Sequence, residues 1–170
     1  MKTTMIASMV LVLSACVLVG QAQHDKKGHD KNEALERFKQ LAGEWTGKGP
    51  HGEMRIVYKV TSGGSTVMET IDPGTDHEMV SMIHADGPAL LLTHYCMLGN
   101  QPHMKAMPKP GDNKIAFEFV KVTNLKSDKD MYMRSATFTF VDKDTLKTEW
   151  TGFKDGKEMD KMVMELKRKK

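Results

Sequence analysis

The apolar residues early in the chain recur at the spacing of an α-helix. Leu35, Phe38 and Leu41 lie three residues apart and would share one helix face, and Gly43 supplies a stop signal. This segment is therefore predicted to form a short amphipathic helix. After Trp45 the period of the apolar residues changes.

From Trp45 onward the chain has the pattern of about ten short β segments that are separated by turn residues. The clearest alternation of apolar and polar residues is at Met54, Ile56, Tyr58, Val60, Ile115, Phe117 and Phe119. No strand pattern alternates with a long helical one, which argues against a parallel α/β sheet. A closed meander would remove exposed strand edges. We therefore predict an all-β, antiparallel up-and-down barrel with a short N-terminal helix.

Residues 1–22 have the layout of a secretory signal peptide. Lys2 precedes an apolar run from Met5 to Gly20, and Gly20 and Ala22 suit a cleavage site after Ala22. Residues 23–30 would form a polar, disordered leader, and residues 31–170 a single barrel domain. The protein is expected to be secreted or periplasmic.

The same segment allows a membrane-anchored alternative. The stretch from Leu13 to Cys16 resembles the bacterial lipobox, whose cysteine becomes lipid-modified. The apolar run continues past Cys16, however, and this favours free secretion. A membrane would be a partner only if Cys16 is lipidated.

Charge, motifs and cysteines argue against several classes of function. The net charge is +3, and the only cluster of basic residues is the tail at residues 167–170. A nucleic-acid-binding protein normally has a continuous basic surface. No phosphate-loop, zincin or nucleophile-elbow motif occurs, so an enzyme is not favoured. Cys96 is the only cysteine after the predicted cleavage site, which excludes an internal disulfide and favours a buried thiol.

The opening strand resembles that of a known group of barrels. The stretch LAGEWTGKG from Leu41 to Gly49 is similar to the G-x-W-x-G-x-G signature of nitrobindin-like and lipocalin-like proteins. Further segments resemble a group of secreted bacterial proteins of unassigned function. These segments are Gly64–Glu69, Pro73–Gly74, His77–Val80, Leu92–Cys96 and Gly99–Pro102. The resemblance implies a calycin-like barrel in which Trp45 closes the base.

The resemblance also raises haem as a cofactor. Nitrobindins bind haem through a histidine late in the barrel sequence, but His103 is the last histidine of this chain. The secreted group is expected to carry histidines near Tyr132 and Arg134, where this chain has none. A haem site would therefore depend on His94.

The stretch LLTHYCMLGNQPHMK, residues 91–105, concentrates candidate binding residues. Strand alternation places His94 and Cys96 on one face, together with two leucines, and that face could point into the barrel. Asn100 and Gln101 indicate a turn. Together with His103, they could also form a site at the barrel rim.

Glu69 shares a predicted strand face with Val67, where a carboxylate needs a partner. His94 and Arg134 are the candidate partners. Arg134 is one because it lies two residues from the apolar Ala136 and would therefore share its strand face. The three residues could form a structural ion pair across the barrel, or they could be polar anchors for a ligand.

We therefore expect non-catalytic binding of a small, largely apolar molecule inside the barrel. The candidate ligand-binding residues are Trp45, Glu69, His94, Cys96, Asn100, Gln101, His103 and Arg134. The 15 methionines, Met79 and Met162 among them, could be an adaptable cavity lining or core filler. One alternative is a haem or metal barrel, with His94, Cys96 and His103 as ligands that would suit zinc or copper. Another is a structural envelope lipoprotein without a ligand.

Overall fold

The computed structural model describes residues 32–49 and 52–170 of the chain. The predicted signal peptide, the predicted leader at residues 23–30 and the lipobox Cys16 lie outside the described residues. In the described part, no helix is long and apolar enough to span a membrane.

The helix α1 spans Glu33–Lys39 and begins at a side-chain cap. The Asn32 side chain accepts a hydrogen bond from the backbone amide of Leu35 at 3.0 Å, and so provides a partner for an amide that has none within the helix. Leu35 and Phe38 are buried, in agreement with the predicted apolar face. The helix ends before Gly43, whose φ of 127° suits a residue without a side chain and starts the first strand.

Ten strands follow and close into one antiparallel barrel. They are β1 (Gly43–Gly49), β2 (Gly52–Thr61), β3 (Thr66–Ile71), β4 (Met79–Asp86), β5 (Ala89–Tyr95), β6 (Gln101–Ala106), β7 (Lys114–Thr123), β8 (Tyr132–Asp142), β9 (Thr145–Lys154) and β10 (Lys157–Arg168). Each strand pairs with its neighbours in the chain, and β1 pairs with β10. The predicted fold class is therefore confirmed.

The hydrophobic core lies inside the barrel, because alternate residues of each strand point inward. Its fully buried side chains include Trp45, Ile56, Tyr58, Val67, Ile83, Leu90, Leu92, Phe117, Phe138 and Leu146. The prediction that Leu92 and His94 share the inward face of β5 is confirmed, because both are buried. Tyr95, on the other face, is 49% exposed.

The two ends of the barrel differ. Helix α1 covers one of them, the helix end, where the ring of Phe38 lies edge-on to Phe138 and Phe140 at centroid distances of 5.1 and 5.3 Å. Asn32 also donates to the carbonyl of Gly87 at 3.0 Å and so ties α1 to the β4–β5 turn. The opposite end, the open end, includes the loops at residues 72–78, 96–100, 124–131 and 155–156, and no described helix covers it.

Trp45 and Arg168 fasten the first strand to the last at the helix end. The two residues are register partners, and the guanidinium carbon of Arg168 lies 4.3 Å from the Trp45 ring centroid. The guanidinium also donates to the carbonyls of Gln40 and Ala42, and the Trp45 indole donates to the carbonyl of Leu41 at 2.8 Å. This cation–π contact, supported by hydrogen bonds, links α1, β1 and β10.

Truncation of Phe38 should destabilise the barrel strongly, because its side chain is 0% exposed. We expect Phe38→Ala to lower the free energy of unfolding in urea by about 3–5 kcal/mol. Val141 is 57% exposed, so the control Val141→Ala should change this free energy by about 0.5 kcal/mol or less. A similar loss in both variants would contradict the role of α1 as a packed lid.

Candidate binding site inside the barrel

Four polar side chains form a continuous row on the inner face of the barrel. Tyr58, Glu69, Ser81 and His94 are register partners on four successive strands, β2 to β5. None of them is more than 2% exposed. We call these four residues the polar row. The sequence predicted Glu69 and His94 as inward polar residues and Tyr58 as part of a buried strand face, but it did not predict Ser81.

Hydrogen bonds link the polar row in pairs. The Tyr58 hydroxyl donates to Glu69 Oε1 at 2.7 Å, and Ser81 Oγ lies 3.0 Å from His94 Nδ1. Glu69 Oε2 is buried and has no hydrogen-bond partner among the described residues. Glu69 also forms no salt bridge within the described part of the chain. The row therefore holds a carboxyl group whose second oxygen is unsatisfied.

Burial shifts the pKa values of the polar row. Burial raises the pKa of Glu69, and the hydrogen bond from Tyr58 opposes this shift. Burial also raises the pKa of Tyr58 well above its usual value, so its hydroxyl stays protonated and available as a donor. Burial lowers the pKa of His94 to about 4, and the imidazole is therefore neutral at physiological pH.

An aromatic side chain from the far part of the chain completes the interior around His94. The ring of Trp150 on β9 lies 5.1 Å from the imidazole, centroid to centroid. Thr148 lies two residues before it on β9, and its buried Oγ1 also has no hydrogen-bond partner among the described residues. Buried polar atoms without a hydrogen-bond partner thus occur on both β3 and β9.

Methionines surround the interior near the open end. Met79, Met133 and Met162 pack against the core from partly buried positions. A Cβ atom on Gly152 would lie 3.1 Å from Met159 Sδ and 3.2 Å from Met131 Cε, so these two side chains cover that glycine. We call the five residues Met79, Met131, Met133, Met159 and Met162 the methionine mouth.

The methionine mouth lies next to the polar row and to Trp150. Met79 precedes Ser81 by two residues on β4, which is one pleat, or about 7 Å, nearer the open end. Met162 is the register partner of Trp150, and Met133 is that of Gly152. Flexible thioether side chains therefore separate the polar row from the open end.

Arg134 does not pair with Glu69 or His94 in the described part of the chain, and its side chain lies 3.4 Å from the Tyr132 hydroxyl instead. The register of β8 against β9 shifts between Met133 and Ser135, and this bulge breaks the alternation on which the prediction rested. The guanidinium carbon lies 4.4 Å from the ring centroid of Phe153. It also lies 5.2 Å from the ring centroid of Phe119 on β7. Arg134 therefore contacts aromatic rings of β7 and β9 instead of the polar row.

The turn at the end of β5 holds three of the predicted residues in structural roles. The Cys96 thiol is free and buried, and burial raises its pKa. Asn100 donates to the carbonyl of Met131 at 2.8 Å and so joins two loops of the open end. Gln101 donates to the carbonyl of Gly99 within the turn. These contacts support the turn interpretation of the segment.

His103 lies on the outer face of the sheet, away from His94. It is the register partner of Thr93, whose Oγ1 lies 3.1 Å from His103 Nδ1. The structure therefore does not bring His94, Cys96 and His103 together as a ligand set. No group of three or more histidine, cysteine, aspartate or glutamate side chains that could hold a metal occurs among the described residues.

The lowered pKa of His94 should make stability depend on pH. Between about pH 6.5 and pH 4 the unfolded chain binds a proton at this site and the folded chain does not, so the free energy of unfolding falls as the pH falls. We expect a contribution of about 3 kcal/mol over this interval. Urea titrations across the interval would measure it.

The variant His94→Gln should remove most of this fall, because glutamine does not titrate. The control His103→Gln should retain most of it, because His103 is only partly buried. Since Glu69 titrates with the opposite sign, the difference between the wild type and His94→Gln isolates the histidine. Equal pH dependence in the wild type and His94→Gln would show that His94 does not carry the effect.

Comparison with known proteins supports the fold. No protein-family model matches this chain, and no curated protein matches its sequence. The crystal structure of Rv2717c from M. tuberculosis is similar, with a TM-score of 0.60 and 16% sequence identity over 81% of this chain and 98% of that one. At this identity the likeness concerns the fold alone. The chain is a closed ten-stranded antiparallel barrel whose fold is similar to that of Rv2717c.

Proposed function

We propose that this protein binds a small, largely apolar molecule inside its barrel without transforming it. The ligand enters at the open end through the methionine mouth. Its apolar part lies against the methionines and Trp150, and its polar end meets the polar row.

The observation that carries this proposal is the second oxygen of Glu69. A buried polar atom without a hydrogen bond costs about 1–3 kcal/mol of stability, and more if it is charged. Glu69 Oε2 is such an atom, on a side chain that is 1% exposed. A ligand group that forms a hydrogen bond with it would remove this cost, and the free energy gained would favour binding.

The methionine mouth provides the route. Methionine is unbranched and has a polarizable thioether, so its side chain can rearrange around ligands of different shape. Met159 is 40% exposed and borders the surface. By contrast, the helix end is covered by α1 and by the rings that pack on Phe38.

The test is a calorimetric titration of the full chain with n-octanol, a small apolar molecule with one polar end. We expect saturable binding to the wild type. The variant Met79→Trp should weaken this binding by about tenfold or more, which corresponds to 1.4 kcal/mol, because the larger side chain would obstruct the mouth.

The control is Met68→Trp, at a similarly half-buried methionine on the outer face of the adjacent strand β3. It should leave the affinity for octanol within about twofold of the wild type, because it lies outside the barrel. The absence of saturable binding to the wild type, or equal weakening by both variants, would overturn the proposal.

A haem-binding barrel is a second candidate, because His94 Nε2 forms no hydrogen bond with a described residue, whereas Nδ1 contacts Ser81. A neutral imidazole held at its other nitrogen suits an axial iron ligand. A saturable Soret shift during haemin titration that His94→Ala abolishes would support haem binding. The absence of a shift would leave the apolar ligand alone.

A further inference from the structure

We infer that the polar end of the ligand is an ammonium group, so that the interior site selects small apolar amines. This inference rests on the proposed interior site and specifies the ligand class. Three features of the described residues carry it: the partners of Glu69, the direction of the hydrogen bonds in the polar row, and the aromatic rings beside it.

Glu69 is a buried carboxyl group without a cation. Within the described chain it accepts a hydrogen bond from the Tyr58 hydroxyl on Oε1, and its register partner on β4 is Ser81; both side chains are neutral. The basic residues of the neighbouring strands, Arg55, Lys59 and Lys105, are exposed. Buried carboxylates normally have a charged or fully hydrogen-bonded partner. A ligand cation would provide the missing partner.

The hydrogen bonds of the polar row leave acceptors open. If the neutral His94 carries its proton on Nδ1, it donates to Ser81 Oγ, and its Nε2 is then an acceptor. Glu69 Oε2 likewise has no hydrogen-bond partner among the described residues. An ammonium group is a donor only and has three N–H bonds for such acceptors.

Aromatic rings beside the row favour a cation over a neutral group. The Trp150 ring lies 5.1 Å from the imidazole of His94, and Tyr58 is part of the row itself. Aromatic faces attract ammonium ions, and the attraction is stronger where water is excluded. A ligand carboxylate would instead bring further acceptors to a row whose open positions are acceptors, and it is disfavoured.

The experiment compares three probes of equal chain length by calorimetric titration of the full chain at neutral pH: n-octylamine, n-octanol and octanoate. We expect octylamine to bind the wild type about tenfold or more tightly than octanol, and octanoate to bind least. In Glu69→Gln, which keeps the size of the side chain, the preference for the amine over the alcohol should be lost. The control Glu118→Gln, at an exposed glutamate on β7, should keep it.

The outcomes separate this inference from the proposed function. If octanol binds and octylamine binds no more tightly, or if octanoate binds most tightly, the amine inference is wrong and the apolar-ligand proposal stands. If Glu69→Gln still binds the amine more tightly than the alcohol, Glu69 does not determine the selectivity for the ammonium group, and the inference is also wrong. If none of the three probes binds, both proposals fail. The wild-type comparison decides the question even if Glu69→Gln does not fold.

Discussion

Closure of the sheet between β1 and β10 is the constraint on which the rest of the structure depends. A closed barrel has one inside, and the pleat sends every second residue of each strand into it. The register of β2 to β5 therefore places Tyr58, Glu69, Ser81 and His94 side by side, away from solvent. Trp45 and Arg168 secure this closure at the helix end. Without closure, the polar row would lie on an open sheet and keep its usual pKa values.

Burial shifts the pKa values of the polar row and also makes the row costly for the stability of the fold. It keeps His94 neutral and raises the pKa of Glu69, because charge is poorly solvated inside the barrel. An interior built for stability alone would place apolar side chains at these positions. The row thus lowers stability, and a ligand that forms hydrogen bonds with Glu69 would offset this cost. The methionine mouth gives such a ligand a deformable entrance, and the rigid aromatic packing under α1 closes the other end.

Much of the fold could be predicted from the sequence because it is local. Leu35 and Phe38 have the spacing of one helix face, and alternation along β5 places Leu92 and His94 on one side. Glu69 was recognisable because a carboxylate shared a strand face with Val67. These inferences need only the period of a single element and a regular register.

The remaining parts depend on irregularities and long-range pairing. A bulge in β8 at Arg134 interrupts the alternation of that strand, and no residue type in that stretch marks the extra position. Arg168 meets Trp45 only because the last strand returns to the first. Ser81 looks like any small strand residue until its neighbours Glu69 and His94 are known. The methionine mouth likewise combines residues from β4, β8, β10 and a loop, so it has no signature in the sequence.

An interior binding site behind the methionine mouth can be tested directly by an NMR titration of the full chain, labelled with ¹³C at the methionine methyl groups, with n-octanol. We expect saturable shifts of the Met79, Met133 and Met162 methyl signals and none for Met107, which is 63% exposed near the helix end. Shifts at Met107 with an unchanged methionine mouth, or no shifts at any methionine, would contradict it.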